Sequence, residues 1–274
     1  MFLSIIVPTF QRPTELARCL NSIDLVDDFE IIVSDNASPY DVSQCIPEQL
    51  RARCRLVVQK ENLGARENIF RASHLAKGEY TIYITDDDFF LPGELKVLAE
   101  QLSACRPNVA YAPCIINYEK QNRRKYYGFL PKWFGRAGLI NRGHILSGLV
   151  VKTPLLKELL AVGAKELRNS WYFSSAILCM VQNNIYLHKR PLLIHTWENE
   201  TFWGIDPGDH GVLKTDQEQL FVAMRSAEYL RFMEYWLLRL SLKKYASIVL
   251  MIAYFIERSL NYENRDAERF NPVG

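Results

Sequence analysis

The sequence predicts an α/β protein: a mainly parallel β-sheet flanked by helices, with a helical extension at the C-terminus. In residues 1–110, short apolar runs alternate with amphipathic helical patterns. Polar residues follow directly on three of these runs, at Pro8-Thr9, Asp35-Asn36 and Asp86–Asp88. Ligands of parallel sheets bind beyond the carboxyl ends of the strands, so these residues predict a pocket.

The first four strands are predicted from apolar runs at Leu3–Val7, Glu30–Ser34, Arg55–Val58 and Tyr80–Thr85. The second of three predicted helices follows Asn62-Leu63-Gly64, continues to about Ala76, and is expected to stop at Gly78. The inward faces of the other two consist of Leu16, Leu20 and Ile23 in the first helix, and of Leu95, Leu98, Ala99 and Leu102 in the third, which begins at Pro92.

The remainder divides into a less regular middle, 111–212, and a C-terminal segment, 213–274. The middle contains a basic stretch (Lys120 to Lys125), a helix from Pro154, a helix around Tyr172–Gln182 and a strand at Ile185–His188. The C-terminal segment is helical, aromatic and basic in pattern. It is expected either to pack on the core or a second subunit, or to lie at an anionic membrane surface.

Composition narrows the classes of function. The chain has 274 residues and a net charge of only +2, which argues against nucleic-acid binding. Its six cysteines form no CxxC pair, as expected of reduced thiols in a cytoplasmic protein. The first strand begins at once, so no signal peptide is expected, and no apolar run reaches the roughly 20 residues of a membrane span.

The triple aspartate Asp86-Asp87-Asp88 is the most informative motif. Clustered carboxylates repel one another unless a cation or solvent offsets their charge. Divalent cations such as Mg²⁺ and Mn²⁺ prefer carboxylate and phosphate oxygens as ligands. Taken alone, the motif is either a metal site or a solvated acidic loop.

Six segments together resemble the family 2 glycosyltransferases of the GT-A fold, in the order and at about the spacing of that family. They are IIVPTFQR at 5–12, IIVSDNAS at 31–38, NLGAREN at 62–68, AKGEY at 76–80, DDD at 86–88 and LPG at 91–93. The resemblance implies a nucleotide-diphosphate sugar donor (a UDP-sugar is favoured), Mn²⁺ or Mg²⁺, and inverting transfer to an acceptor hydroxyl. It also implies a nucleotide-sugar-binding half at 1–110 and an acceptor-binding half at 111–212.

The same resemblance implies which residues border the donor. Asp35 would meet the base, and Arg66 would lie near the ribose or the phosphates. The full set of implied donor-site residues is Pro8, Thr9, Arg12, Asp35, Asn62, Gly64, Arg66 and Asp86.

For the metal, the fixed offset to Pro92 aligns Asp87 with the principal metal-binding aspartate of the family. Asp86 then falls near the ribose, and Asp88 near the metal or the transferred sugar. His195 is a further candidate, either as metal ligand or as base. Many members carry another aspartate where this chain has Thr85.

A general base is expected because the acceptor hydroxyl must lose its proton during attack. The family usually supplies a Glu-Asp pair before an aromatic residue, but the closest counterpart here, residues 169–172, has no carboxylate. The remaining candidates are Glu166, Glu198 and Glu200. Glu198 and Glu200 are favoured, because Trp197, Phe202 and Trp203 beside them suit stacking on sugars.

These features predict an inverting, metal-dependent glycosyltransferase that acts on a glycan or a polyprenyl-diphosphate-linked glycan, as in O-antigen or capsule synthesis. Such an acceptor would bring the protein to the cytoplasmic face of the inner membrane. One alternative is a protein that binds sugar nucleotides but has lost catalysis. A second alternative is a sugar nucleotidyltransferase. It is disfavoured because this sequence lacks the glycine-rich, lysine-bearing opening loop expected of such enzymes.

Overall fold

The computed structural model describes residues 1–25, 27–118, 123–127, 139–140, 143, 145–162, 167, 173–181, 183–196 and 219–226. The strands of these residues are β1 (Leu3–Thr9), β2 (Phe29–Asp35), β3 (Cys54–Val58), β4 (Tyr80–Tyr83), β5 (Phe89–Phe90), β6 (Val109–Tyr111), β7 (Cys114–Tyr118), β8 (Arg123–Tyr127), β9 (Leu149–Lys152), β10 (Ile185–Leu187) and β11 (Leu193–Thr196). The helices are α1 (Pro13–Asn21), α2 (Ala65–Ser73), α3 (Glu94–Cys105), α4 (Thr153–Val162) and α5 (Phe173–Met180), with 3₁₀ turns at Val42–Cys45 and Glu48–Arg53. Residues 219–226 are also helical.

The larger sheet has the strand order β10-β6-β9-β4-β1-β2-β3 within the described residues. Strands β4, β1, β2 and β3 run parallel to one another, as the sequence predicts. Strand β9 lies antiparallel between β4 and β6. The predicted mainly parallel α/β fold is therefore confirmed.

Both faces of this sheet are covered, because successive side chains of a strand point to opposite faces. In β1, Ile5 and Val7 join one hydrophobic cluster, which includes Leu16 of α1 and Leu98 of α3. Ile6 joins the other cluster, which includes Phe70 of α2, Leu156 of α4 and Ile177 of α5. The uniform burial of β1 and β2 reflects these two layers.

A smaller sheet, in the order β5-β11-β7-β8, packs beside the carboxyl end of β4. Strand β5 follows the triple aspartate directly and pairs antiparallel with β11. The end of β11 is thereby held next to the aspartates, although the two are about a hundred residues apart in the chain.

Several local predictions need correction. Helix α2 ends at Ser73, earlier than the predicted Ala76, and Gly78 does not stop it. Gly78 instead lies against the backbone of β1, where an added Cβ would sit 2.7 Å from the carbonyl carbon of Leu3 and from the Ser4 nitrogen. The third helix begins at Glu94 rather than Pro92. The middle region, described above as irregular, supplies β7 to β9, and its basic stretch lies partly in β8.

Only a short piece of the predicted C-terminal helical segment falls within the described residues. In that piece Leu220, Phe221 and Met224 are buried in the same cluster as α4 and α5. No helix of the described residues is long and apolar enough to cross a bilayer.

Candidate functional site

The ends of β1, β2 and β4 meet at one edge of the sheet. Thr9 and Asp35 are paired in the register of β1 and β2. The Thr9 hydroxyl donates a hydrogen bond to Asp86 Oδ2 over 2.7 Å, which connects β1 to the loop after β4. The three polar strand ends recognised in the sequence therefore come together.

Asp86 is buried and faces the residues at the end of β1 and just after it. Its side chain also accepts from the Phe10 backbone N–H at 3.4 Å and from Arg12 Nη1 at 3.4 Å. Burial, followed by the nearby charge of Asp87, raises the pKa of Asp86 to about 7. The site thus concentrates negative charge that its own hydrogen bonds only partly offset.

Asp87 points toward Arg12, whose Nη1 lies 2.6 Å from Asp87 Oδ2. Its side chain is 14% exposed, more than that of Asp86 at 7%. Burial and the charge of Asp88 raise the pKa of Asp87 in spite of the arginine. Arg12 is therefore the cation that bridges Asp86 and Asp87.

Asp88 is directed away from Arg12, toward β11. Both of its carboxylate oxygens lie 3.0 Å from His195 Nδ1, and Oδ1 accepts from the Thr196 backbone N–H at 3.0 Å. Burial acts to raise the pKa of Asp88, but the charge and hydrogen bond of His195 outweigh it, so the pKa lies below its ordinary value. Burial acts to lower the pKa of His195, but the charge and hydrogen bond of Asp88 outweigh burial, so the pKa of His195 is raised.

Arg18 of α1 is a site residue that sequence reasoning missed. Its Nη2 donates to the Asp87 carbonyl oxygen at 2.8 Å and to Thr196 Oγ1 at 3.3 Å. Its guanidinium lies 4.9 Å from the centre of the Phe89 ring. The arginine connects the aspartate loop to the end of β11, and nothing in the spacing of α1 distinguishes it from an ordinary surface residue.

The loops after β2 and β3 are held by short polar contacts. The backbone N–H and the hydroxyl of Ser38 both donate to Asp35 Oδ1, at 3.2 and 2.6 Å. The amide of Asn36 donates to Asn62 Oδ1 at 2.7 Å, and Asn62 Oδ1 also accepts from Gly64 N at 2.9 Å. With φ at +77°, Gly64 takes a conformation that favours glycine.

The predicted residues differ in how closely they approach the aspartates. Thr9, Arg12 and His195 contact them directly, and Pro8 pairs with Ser34 beside Thr9. Arg66 is the second residue of α2, directly after the loop that Asn62 and Gly64 form. The candidate bases Glu166, Glu198 and Glu200 lie outside the described residues, together with Trp197, Phe202 and Trp203.

The carboxylates at this edge carry oxygens of the type that Mg²⁺ and Mn²⁺ take as ligands. Asp86 and Asp87 present adjacent carboxylate oxygens of the kind these ions prefer, and burial is the largest cause of their raised pKa values. Arg12 already stands in as a cation between them. No group of three or more His, Cys, Asp or Glu side chains is arranged for a metal within the described residues. The two carboxylates therefore fit a divalent ion that receives its further ligands from elsewhere.

A mainly parallel sheet with carboxylates and polar loops at its carboxyl edge defines an α/β protein, and proteins of this class bind their ligands at that edge. The family model described as "Glycosyl transferase family 2" matches residues 4–156, more than half of the chain. The chain belongs to this family of glycosyltransferases, which confirms the family predicted from the six sequence segments.

Two relatives illustrate the range of the family. The chain is 28% identical over 201 residues to the GalNAc(5)-diNAcBac-PP-undecaprenol beta-1,3-glucosyltransferase of Campylobacter jejuni, covering 68% of this chain and 62% of that protein. It is 27% identical over 166 residues to an uncharacterized protein of Mycobacterium tuberculosis, covering 60% of this chain and 49% of that protein. The chain thus spans about half to three-fifths of the length of these relatives.

Solved structures share the fold at low sequence identity. The crystal structure of S. aureus TarS 1-349 in complex with UDP-GlcNAc matches with a TM-score of 0.63 and 17% identity, covering 97% of this chain and 78% of that one. The structure of TarS 1-349 without a named ligand matches with a TM-score of 0.62 and 16% identity, covering 97% and 77%. Both confirm the GT-A type of fold.

Proposed function

We propose that this protein transfers a sugar from a nucleoside-diphosphate donor, a UDP-sugar by preference, to a hydroxyl of a glycan or of a polyprenyl-diphosphate-linked glycan. The observation that carries the proposal is the convergence of Thr9, Arg12, Asp35 and the triple aspartate at one edge of the sheet. Such a site offers acidic acceptors for a base and ribose, and cationic groups for a diphosphate.

The relatives support the choice of ligands. The TarS structure was solved in complex with UDP-GlcNAc. The Campylobacter jejuni relative is named for a lipid-linked acceptor, a glycan on undecaprenol. A surface-glycan acceptor of this kind, in O-antigen or capsule synthesis, agrees with the acceptor in the name of this relative. The family match also favours transfer to a glycan over the nucleotidyltransferase alternative.

In the proposed complex, the protein's own residues position the donor. Asp35 accepts an N–H of the base, Asp86 meets the ribose, and the loop of Asn62 and Gly64 borders the nucleotide. Arg12 and Arg18 supply positive charge beside the diphosphate, where negative charge builds as the bond to the sugar breaks.

Asp87 would hold a divalent ion, which when bound supplies Lewis-acid stabilisation of the departing diphosphate. The Asp88–His195 pair holds the end of β11 against the aspartate loop, and either residue could complete the ion's ligands. For inverting transfer, a carboxylate on the opposite face of the sugar takes the acceptor's proton. Glu198 and Glu200, followed by Glu166, remain the proposed bases.

Donor binding tests the proposal directly. Purified wild-type protein and Asp87→Ala are screened by thermal shift and calorimetry against UDP-, dTDP- and GDP-sugars, with and without Mn²⁺. A ligand at a hundredfold excess over its Kd stabilises the fold by about 2.7 kcal/mol. We expect a metal-dependent shift for one nucleotide, which Asp87→Ala loses, whereas a variant of the exposed Glu48 should keep it.

Turnover is then measured by mass spectrometry with the identified donor and synthetic prenyl-diphosphate glycans. A product with the mass of one added sugar supports transfer, and its anomeric configuration distinguishes inversion from retention. Donor binding without any product would favour the alternative of a protein that has lost catalysis. The absence of binding for every sugar nucleotide would contradict the proposed function itself.

A further inference from the structure

Arg12 occupies the place between the carboxylates that a metal ion would need. A single nitrogen, Nη1, lies 2.6 Å from Asp87 Oδ2 and 3.4 Å from Asp86 Oδ1. Ion pairs of this length with partly buried groups are among the stronger polar contacts in a protein. A divalent cation held by Asp87 would have to displace this guanidinium.

The displaced arginine would need a new anionic partner. Its side chain is only 28% exposed, so a position beside another anion is favoured once the carboxylates bind a cation. Arg12 is the N-cap residue of α1 (φ −131°, ψ 66°), where its carbonyl accepts from the Leu16 backbone N–H at 2.9 Å, and it is not part of a sheet ladder. A guanidinium pairs with phosphate oxygens in the same forked geometry as with carboxylates. A diphosphate at this edge of the sheet is therefore a suitable second partner.

We propose that Arg12 is an exchangeable counter-ion, which neutralises Asp86 and Asp87 in the free protein and moves to the donor's diphosphate when a divalent cation takes its place. The inference rests on the proposed function, because it assumes that a nucleoside diphosphate binds at this edge. It goes further in naming the form of the substrate: the protein takes up cation and nucleotide together, and takes up the cation alone only weakly.

Thermodynamic linkage makes this coupling reciprocal. If the nucleotide removes Arg12 from the carboxylates, it raises the affinity for the cation, and the cation raises the affinity for the nucleotide by the same factor. Removing the charge of Arg12 should have two opposite effects. The cation alone should bind more tightly, because no ion pair has to break, and the coupling between cation and nucleotide should shrink.

Electron paramagnetic resonance of free aqueous Mn²⁺ measures both quantities. Mn²⁺ is titrated into the full-length protein with and without saturating UDP, and a protein-free titration corrects for the Mn²⁺ that UDP itself binds. The test variants are Arg12→Met and, as a second neutral replacement, Arg12→Gln, each checked for folding by circular dichroism. Arg71→Met is the matched control, because it removes the same charge from α2, where Arg71 forms an ion pair with Glu67.

For the wild type and for Arg71→Met, we expect UDP to increase Mn²⁺ affinity at least about fivefold, within the usual range of coupling between sites. For the Arg12 variants, Mn²⁺ alone should bind at least about fivefold more tightly than to the wild type, with most of the coupling lost. Mn²⁺ affinity without UDP that is no higher in the folded Arg12 variants would overturn the inference. The inference would also be overturned if UDP bound but Mn²⁺ did not bind under any condition. If UDP itself did not bind, the result would count against the proposed function.

Discussion

Acid sensitivity of the fold is expected to come in part from a buried histidine outside the candidate site. His188 follows β10, is 2% exposed, and its two ring nitrogens have no hydrogen-bond partner among the described residues. The charged groups that face it are Glu94 at the start of α3, whose Oε2 is 4.0 Å from Nε2, and Arg190, which pairs with Glu94. The Tyr186 ring lies 6.4 Å away between centroids.

Burial, assisted by the charge of Arg190, lowers the pKa of His188 from 6.5 to about 4. Above the ordinary histidine pKa, both the folded and the unfolded chain carry a neutral His188, and the residue contributes no pH dependence. As the pH falls below about 6.5, the unfolded chain takes up a proton that the folded chain refuses until about pH 4. Between about pH 7.5 and about pH 4.5, this difference lowers the free energy of unfolding by about 2–3 kcal/mol.

The perturbation is His188→Leu, which removes the titrating group and leaves the backbone hydrogen bond to the Tyr111 carbonyl in place. Urea unfolding of wild type and variant at these two pH values measures the loss of stability on acidification. The loss should be about 2–3 kcal/mol smaller in His188→Leu. His74→Leu, at an exposed histidine after α2, serves as control and should lose as much as the wild type. If acidification destabilised His188→Leu as much as wild type, the assignment of the acid sensitivity to this histidine would be wrong.

Two further predictions concern residues that hold the sheet together. Gly78→Ala should lower the free energy of unfolding by about 1–3 kcal/mol, because the new Cβ meets backbone atoms of β1 that have no freedom to move aside; the neighbouring Lys77→Ala should stay within about 0.5 kcal/mol in the same urea assay. Asn68→Leu should cost about 1–3 kcal/mol, because the buried Asn68 amide accepts from Ser34 Oγ at 2.7 Å and donates to the Ser34 carbonyl at 2.8 Å. In a double-mutant cycle, Ser34→Ala with Asn68→Leu should cost less than the sum of the two, and strict additivity would contradict the contact.

The local elements at the N-terminus were predictable because their signals are short-range. The apolar runs of β1 to β4 and the apolar faces of α1 and α3 depend on residue spacing, which a sequence displays directly. The ends of elements were predicted less well. Helix α2 ends at Ser73, before the predicted stop at Gly78. A glycine is required at position 78 because the chain packs closely on β1 there.

The strand β10 was predicted in the middle region, but β7 to β9 were missed because their partners are distant in sequence. Strand β9 is only four residues long, and its pairing with both β4 and β6 stabilises it as a strand. An isolated run of that length carries little information about its conformation. The same holds for β5, whose two residues are strand because β11 lies beside them.

For the site, the sequence alone determined the family, the parallel sheet and the strand ends at which polar residues collect. Only the tertiary structure decided how the three aspartates divide their contacts: Asp86 and Asp87 face Arg12, whereas Asp88 faces His195 and Thr196. Adjacent residues at the end of a strand point in different directions. Which partner each of them meets depends on loops that come from remote parts of the chain. Residue type and spacing specify which chemistry is present, but the geometry that pairs one carboxylate with an arginine and the next with a histidine arises only when those remote segments pack together.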